Sequence, residues 1–197
     1  MYKKGILMLL SFITVLVMNA QDRYVADTEE STINWEGQKI IGSNHIGTIN
    51  LKSGWLQVDG NAITGGNFVI DMNSIINKDL KDDSMKERLV GHLKSDDFFG
   101  VEKFPVSNLV ITGGSEFINN TAKIRGNLTI KEATHPVEFT VRVNKIGDSL
   151  VYTAQIAFDR SLYEVRYGSG KFFSNLGDNA IKDEILLDVR LVVKEQA

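Results

Sequence analysis

PVEFTVRVNKI, residues 136–146, alternates with a period of two. Val137, Phe139, Val141 and Val143 fall on one side; Glu138, Thr140, Arg142 and Asn144 fall on the other. Successive side chains of a strand point to opposite faces, so this stretch reads as a strand with one face to a core and one to water. Residues 183–195, DEILLDVRLVVKE, repeat the pattern with Ile185, Leu187, Val189, Leu191 and Val193 in register. Ala122, Ile124, Gly126, Leu128 and Ile130 do the same against Lys123, Arg125, Asn127, Thr129 and Lys131. Parallel sheets are covered on both faces and read as unbroken apolar runs, so clean alternation predicts antiparallel pairing.

Working outward, Ser53-Gly54, Asp59-Gly60-Asn61, Gly65-Gly66, Gly113-Gly114 and Gly147-Asp148 read as reversals. They bound candidate strands at 31–41, 45–52, 54–60, 62–72, 105–113, 121–131, 136–146, 150–159 and 183–194, with a shorter one near 162–167. Many short strands at regular spacing predict an all-β sandwich or barrel. One segment departs from the pattern. In DLKDDSMKERLVGHL, residues 79–93, Met85, Leu89 and Leu93 recur every four positions, with Leu80 a turn earlier. Asp82, Asp83 and Ser84 suit a helix start, where backbone N–H groups lack partners. A short helix around residues 80–93 is expected, followed by an aromatic corner of Phe98, Phe99 and Phe104. Lying between two halves of a sheet, it would serve as a plug or lid.

Composition narrows the function. The 197 residues carry a formal charge of −3, with Lys and Arg scattered among acids. No basic stripe exists to displace counterions from phosphates, so nucleic acid is not an expected partner. With no cysteine, disulfides, thiolate metal sites and cysteine nucleophiles are excluded. The first 21 residues, MYKKGILMLLSFITVLVMNAQ, pair Lys3 and Lys4 with an apolar run to Met18 and a small residue at Ala20. This is the layout of a secretory signal, with a single membrane anchor as the alternative; the run falls short of the ~20 residues that span a bilayer. The expected product is one exported domain from residue 22 to 197, periplasmic or secreted, and not integral to a membrane after cleavage.

Several motifs then resemble a known family. His92-Leu93-Lys94-Ser95-Asp96-Asp97-Phe98-Phe99, continuing through Val101, Lys103, Phe104 and Pro105, resembles a signature of the YceI-like family. Gly126-Asn127-Leu128-Thr129-Ile130 with Pro136-Val137 resembles its hairpin. Phe158-Asp159-Arg160-Ser161-Leu162-Tyr163, then Tyr167-Gly168-Ser169-Gly170, resembles its late strand and loop, and Asp183-Glu184-Ile185 the start of its last strand. The resemblance implies an extended, lipocalin-like antiparallel β-barrel of about eight strands with one short helix. It also implies an exported protein, often a homodimer, that holds a long-chain amphiphile such as a polyisoprenoid or fatty-acid-like molecule. The loop SLYEVRYGSGKFFSNLGD after Arg160 is longer than in many relatives, so the mouth, and with it the ligand, can differ. An eight-stranded barrel is at the size where the interior either fills with side chains or holds one ligand. A filled barrel acting as a protein-interaction module is therefore the alternative, and an enzyme using the same cavity a further one.

Trp35, Phe68, Phe139, Phe158, Phe172 and Phe173 are candidates to line a cavity or to pack an ordinary core. Leu89 and Leu93 on the helix, Phe99 in the corner and Leu128 in a strand complete the apolar set. Arg160 is placed to meet a carboxylate or pyrophosphate head group at the mouth, or to pair with Asp159, Glu164 or Asp178. His45 offers a polar contact to a head group or is a satisfied structural histidine. His92 suits a helix end, and His135, before Pro136, reads as a surface turn. The three histidines lack metal-site spacing, although a convergent His45–His92 zinc site would be feasible with carboxylate help. No nucleophile elbow or phosphate loop is present, so no catalytic residue and no cofactor are expected. If the helix is an amphipathic lid, Leu89→Asp should lower lipid retention more than Lys86→Asp; equal retention in a lipid-release assay would overturn that assignment.

Overall fold

The alternation is realised in eight antiparallel strands: β1 (Asp22–Lys39), β2 (Asn44–Asp59), β3 (Ala62–Asn77), β4 (Val106–Gly114), β5 (Thr121–Ile130), β6 (Ala133–Ile146), β7 (Ser149–Asp159) and β8 (Ile181–Glu195). One helix, α1 (Asp83–Lys94), joins β3 to β4. The computed structural model describes residues 22–196; the expected signal peptide lies outside them. Each strand pairs with its chain neighbours, and β1 also pairs with β8, so the sheet closes into a barrel with no edge strand.

The first three strands are longer than expected, at 18, 16 and 16 residues. Ser53-Gly54 and Gly65-Gly66 are not turns. They lie inside β2 and β3, next to irregularities where the β2–β3 register shifts between Leu51 and Ser53 and between Gln57 and Val58. A bulge bends a strand without ending it, and each extra residue exchanges the inward and outward sets. Ile49 and Leu51 thus face the same interior as Leu56, although their numbers differ in parity. β1 begins well before residue 31 because it continues through a bulge at Thr28–Ser31, where Asp27 accepts hydrogen bonds from the N–H groups of Glu29 and Glu30.

Two further expectations are corrected. Residues 162–167 form no strand. The Asp159 carboxylate accepts from the Ser161 N–H at 2.9 Å, winding Arg160–Tyr163 into a 3-10 turn that ends at Glu164 in the left-handed region. His135 is not in a surface turn but within β6, paired with Leu128. β6 and β7 pair only from Val141–Ala154 to Ile146–Ser149, so the first part of β6 is an open edge on its β7 side. That edge tolerates Pro136, which has no N–H to offer. The 3-10 turn covers the gap: Tyr163, fully buried, meets Phe158 and His135 edge to face at 5.7 and 5.2 Å.

The β1–β2 hairpin, the α1 connection, the β5–β6 turn and the β7–β8 loop all lie at one end of the barrel. Asp82 caps α1, accepting from the Met85 N–H at 2.9 Å. No residue of α1 is fully buried, and Met85, expected on the apolar stripe, is exposed, whereas Leu89 and Leu93 are half-buried. The β7–β8 loop is held by Arg160, only 1% exposed. Its Nε donates to Lys182 O at 3.0 Å, Nη1 to Val165 O and Tyr167 O at 2.7 and 2.9 Å, and Nη2 to Ile181 O at 3.2 Å. Its carboxylate partner is Asp183 at 3.4 Å, not Asp159, Glu164 or Asp178. Burial lowers the Arg160 pKa, while Asp183 and Asp159 oppose that shift.

Arg160→Leu should destabilise the fold by about 3–5 kcal/mol, since it strands four carbonyls and a carboxylate. Arg160→Lys should also destabilise it, because one ammonium cannot reproduce the planar fork. An unchanged urea midpoint in either would remove the clamp from the account. Gly47→Ala should cost about 1–3 kcal/mol by overpacking, because a Cβ there would stand 1.9 Å from Ile76 O and 2.4 Å from the Trp35 ring.

Candidate functional site

Inward-facing residues of all eight strands surround an interior cavity of about 330 Å³. One water occupies only about 10–15 Å³ in the same terms, so this is not a packing defect. The barrel is therefore not filled by its own side chains. β8 contributes Ile185, Leu187, Val189 and Leu191, and β6 contributes Val137, Phe139 and Val141, the same sets that alternate in the sequence. The wall is almost wholly aliphatic and aromatic through its middle. Polar groups join the lining at the mouth, with Gln38, Lys39, His45 and His92, and lower down, with Ser31 and Arg190.

The far end is closed. The lining stops at Ile63, Ile124 and Tyr152, and beyond them Tyr24, Phe117, Val143 and Val193 pack into the core. Phe117 and Tyr152 rings lie 6.2 Å apart. Tyr152 is 5% exposed, and burial pushes its phenol up to about 12, so it stays neutral at physiological pH. A guest would enter from the α1 end and stop on Tyr152.

At the mouth, Asp79 fixes the joint between β3 and the helical connection. It accepts from the Ile46 N–H at 2.9 Å and from Asn77, and pairs with His45 Nδ1 at 2.8 Å. Burial pushes its carboxyl pKa up, but the bonds from Ile46, His45 and Asn77 outweigh it and hold the carboxyl below its ordinary value. His92 packs edge to face on Phe98 and Tyr167 at 5.0 and 4.5 Å, which roofs the cavity with α1 and the β7–β8 loop.

Of the sequence candidates, Trp35, Phe68, Phe139, Phe158 and Leu128 project into the cavity from strands. Leu89, Leu93 and Phe99 close it from the helical connection, and His45 and Arg160 border its mouth. Phe172 does not join them. It lies outside the lining, 40% exposed, with the Arg166 guanidinium 4.9 Å above its ring, and Phe173 is likewise exposed. Arg160 does not stand at the rim with a free guanidinium, because backbone carbonyls take its donors. Among the described residues no group of three His, Asp or Glu side chains is placed to hold a metal, so His45 and His92 do not converge on one. Reading large aromatics first missed the aliphatic wall and the floor: Ile49, Met72, Ile111, Ile156 and Tyr152 also line the cavity. These five lie in β2, β3, β4 and β7, outside the cleanly alternating β5, β6 and β8, and in β2 and β3 the bulges hide the pattern.

Comparison with known proteins agrees with this architecture. BcnA of Burkholderia cenocepacia superposes with a TM-score of 0.63 at 19% identity, over 85% of this chain and 98% of its own. A polyisoprenoid binding domain from Saccharophagus degradans, implicated in plant cell wall breakdown, gives 0.63 at 12% identity, over 88% and 98%. The YCEI protein of Campylobacter jejuni gives 0.54 at 12% identity, over 98% and 94%. At these identities the likeness is one of fold. A UPF0312 protein of Shewanella denitrificans is 30% identical over 140 residues, 70% of this chain and 69% of that protein. Residues 24–193 match the YceI-like domain, and the chain belongs to the YceI-like family.

Proposed function

We propose that this protein is an exported carrier or scavenger of one long-chain amphiphile, polyisoprenoid or fatty-acid-like, held tail-first in the barrel. The observation that carries the reading is the cavity itself, lined mainly by aliphatic and aromatic side chains and closed at its far end. A hydrocarbon tail gains about 0.8 kcal/mol for each methylene removed from water, so roughly ten methylenes contribute about 8 kcal/mol. That corresponds to a micromolar dissociation constant before the costs of ordering, without any charged clamp. The wall offers no nucleophile beside a base, and the role is binding without turnover. The polyisoprenoid binding domain of Saccharophagus degradans shares the fold and supports the ligand class. Export rests on the leader-like first 21 residues, and release into the periplasm or medium follows from it. Among the described residues no helix is long and apolar enough to cross a membrane. A homodimer is the assembly that the family resemblance implies.

Mass spectrometry of an organic extract of the purified protein should find a co-purifying amphiphile in about equimolar amount. Repeated absence of one would sink the carrier reading. Ala154 lines the cavity in mid-barrel. Ala154→Trp should therefore occupy the hollow and abolish uptake of a long-chain fatty acid, with the far-ultraviolet circular dichroism kept. Undiminished uptake by a folded variant would place the ligand elsewhere.

A further inference from the structure

Five large apolar side chains are exposed at the mouth on two neighbouring tips. Ile40 and Ile41, at the β1–β2 hairpin, are 58% and 63% exposed; Tyr167, Phe172 and Phe173, in the β7–β8 loop, are 45%, 40% and 49%. The tips are joined by backbone: Ile40 N–H donates to Ala180 O at 2.9 Å, and Ile181 N–H to Gly168 O at 2.8 Å. The exposure does not come from a loose loop. Ser169 is fully buried, its carbonyl accepts from the Phe172 and Phe173 N–H groups at 3.2 and 3.0 Å, and the Arg160 clamp fixes the loop base. A rigid loop that holds paired phenylalanines out in water is spending exposure on something, since contiguous apolar patches mark interaction sites.

Charge and continuity indicate what covers them. From Lys39 to His45 and from Val165 to Gly177 the chain carries three basic side chains, Lys39, Arg166 and Lys171, and no acidic one. Arg166 and Lys171 pair with Glu164 and Asp159 at the loop base, and both remain more than half exposed. Lys39 and Tyr167 also line the cavity, so the patch is continuous with its entrance. Aromatic and aliphatic tips flanked by Lys and Arg fit the boundary between acyl chains and anionic head groups.

The geometry points to the mouth as a membrane-docking surface: the β1–β2 tip and the Tyr167–Phe173 loop insert into an anionic phospholipid bilayer and set the cavity entrance at head-group depth. This inference rests on the carrier reading and adds the source of the ligand, which passes from bilayer to barrel without crossing water.

The test uses protein purified after export and stripped of lipid, floated with vesicles of phosphatidylglycerol and phosphatidylethanolamine or of phosphatidylcholine alone. Wild type should float with the anionic vesicles, less so with the neutral ones and less at high salt. Phe172→Ser/Phe173→Ser and Ile40→Ser/Ile41→Ser should each weaken binding by about tenfold or more. Ile118→Ser, which removes an exposed side chain at the opposite end, should not. All variants should take up a pyrene-labelled fatty acid from cyclodextrin as wild type does, while the two double variants extract it from vesicles at least tenfold more slowly. Failure of wild type to float, flotation unchanged in both double variants, or an equal loss in Ile118→Ser would overturn the docking surface. So would a dimer in light scattering that the double variants dissolve, which would assign the patch to a second copy. Uptake from cyclodextrin without flotation would leave the carrier reading standing and remove docking alone; flotation without uptake would do the reverse.

Discussion

The pairing of β1 with both β2 and β8 is the constraint on which the rest depends. A sheet with open edges would expose unpaired backbone groups and could flatten; closure fixes the number of strands around the axis and therefore the width of the interior. At eight strands that width is marginal: larger side chains would fill it and smaller ones would flood it. Here the inward positions are chiefly Ile, Leu, Val and Phe, with Ala154 among them, and a largely apolar cavity remains. The bulges serve the same end. They let 16- and 18-residue strands bend around the axis while returning apolar side chains to the inner face.

The two ends of the barrel are built differently, and the difference gives the cavity its direction. The lower end is sealed by Tyr24, Phe117 and Tyr152 with short turns. The upper end carries the long connections: helix α1 has no fully buried residue, while Phe98 and Val101 after it and Tyr163 and Val165 in the β7–β8 loop are packed into the core. Polar clamps fix it further: Asp79 on Ile46, His45 and Asn77, and Arg160 on the β7–β8 loop. Such clamps hold backbone in place without filling space, so a mouth can be rigid and open at once. They also let the loop present Phe172 and Phe173 to the outside, where a guest inside the barrel would not meet them.

Much of the wall was legible in the residue order. In β5, β6 and β8 no irregularity interrupts the alternation through the wall-lining stretch, and every second residue there faces inward. Trp35, Phe68, Phe139, Phe158 and Leu128 were found because large apolar residues in half-buried strands have one apolar side to go to. The β2 and β3 walls were obscured because Ser53-Gly54 and Gly65-Gly66 carry the chemistry of turns yet are spanned by long strands paired on both sides. Phe172 was misplaced for a related reason: hydrophobicity does not say which way a loop residue points.

Local order settles what depends on neighbours along the chain. Period-two alternation gave the strands and their inner faces, Asp82 marked the start of the helix, and the absence of cysteine excluded a whole chemistry. Packing between distant segments settled the rest. The Asp183 partner of Arg160, the pairing of β1 with β8 across more than 140 residues of chain, the hollow interior and the rim of exposed aromatics all depend on the barrel's closure. Whether inward side chains meet across the axis is a question of radius, and a radius belongs to the closed sheet and to no single strand.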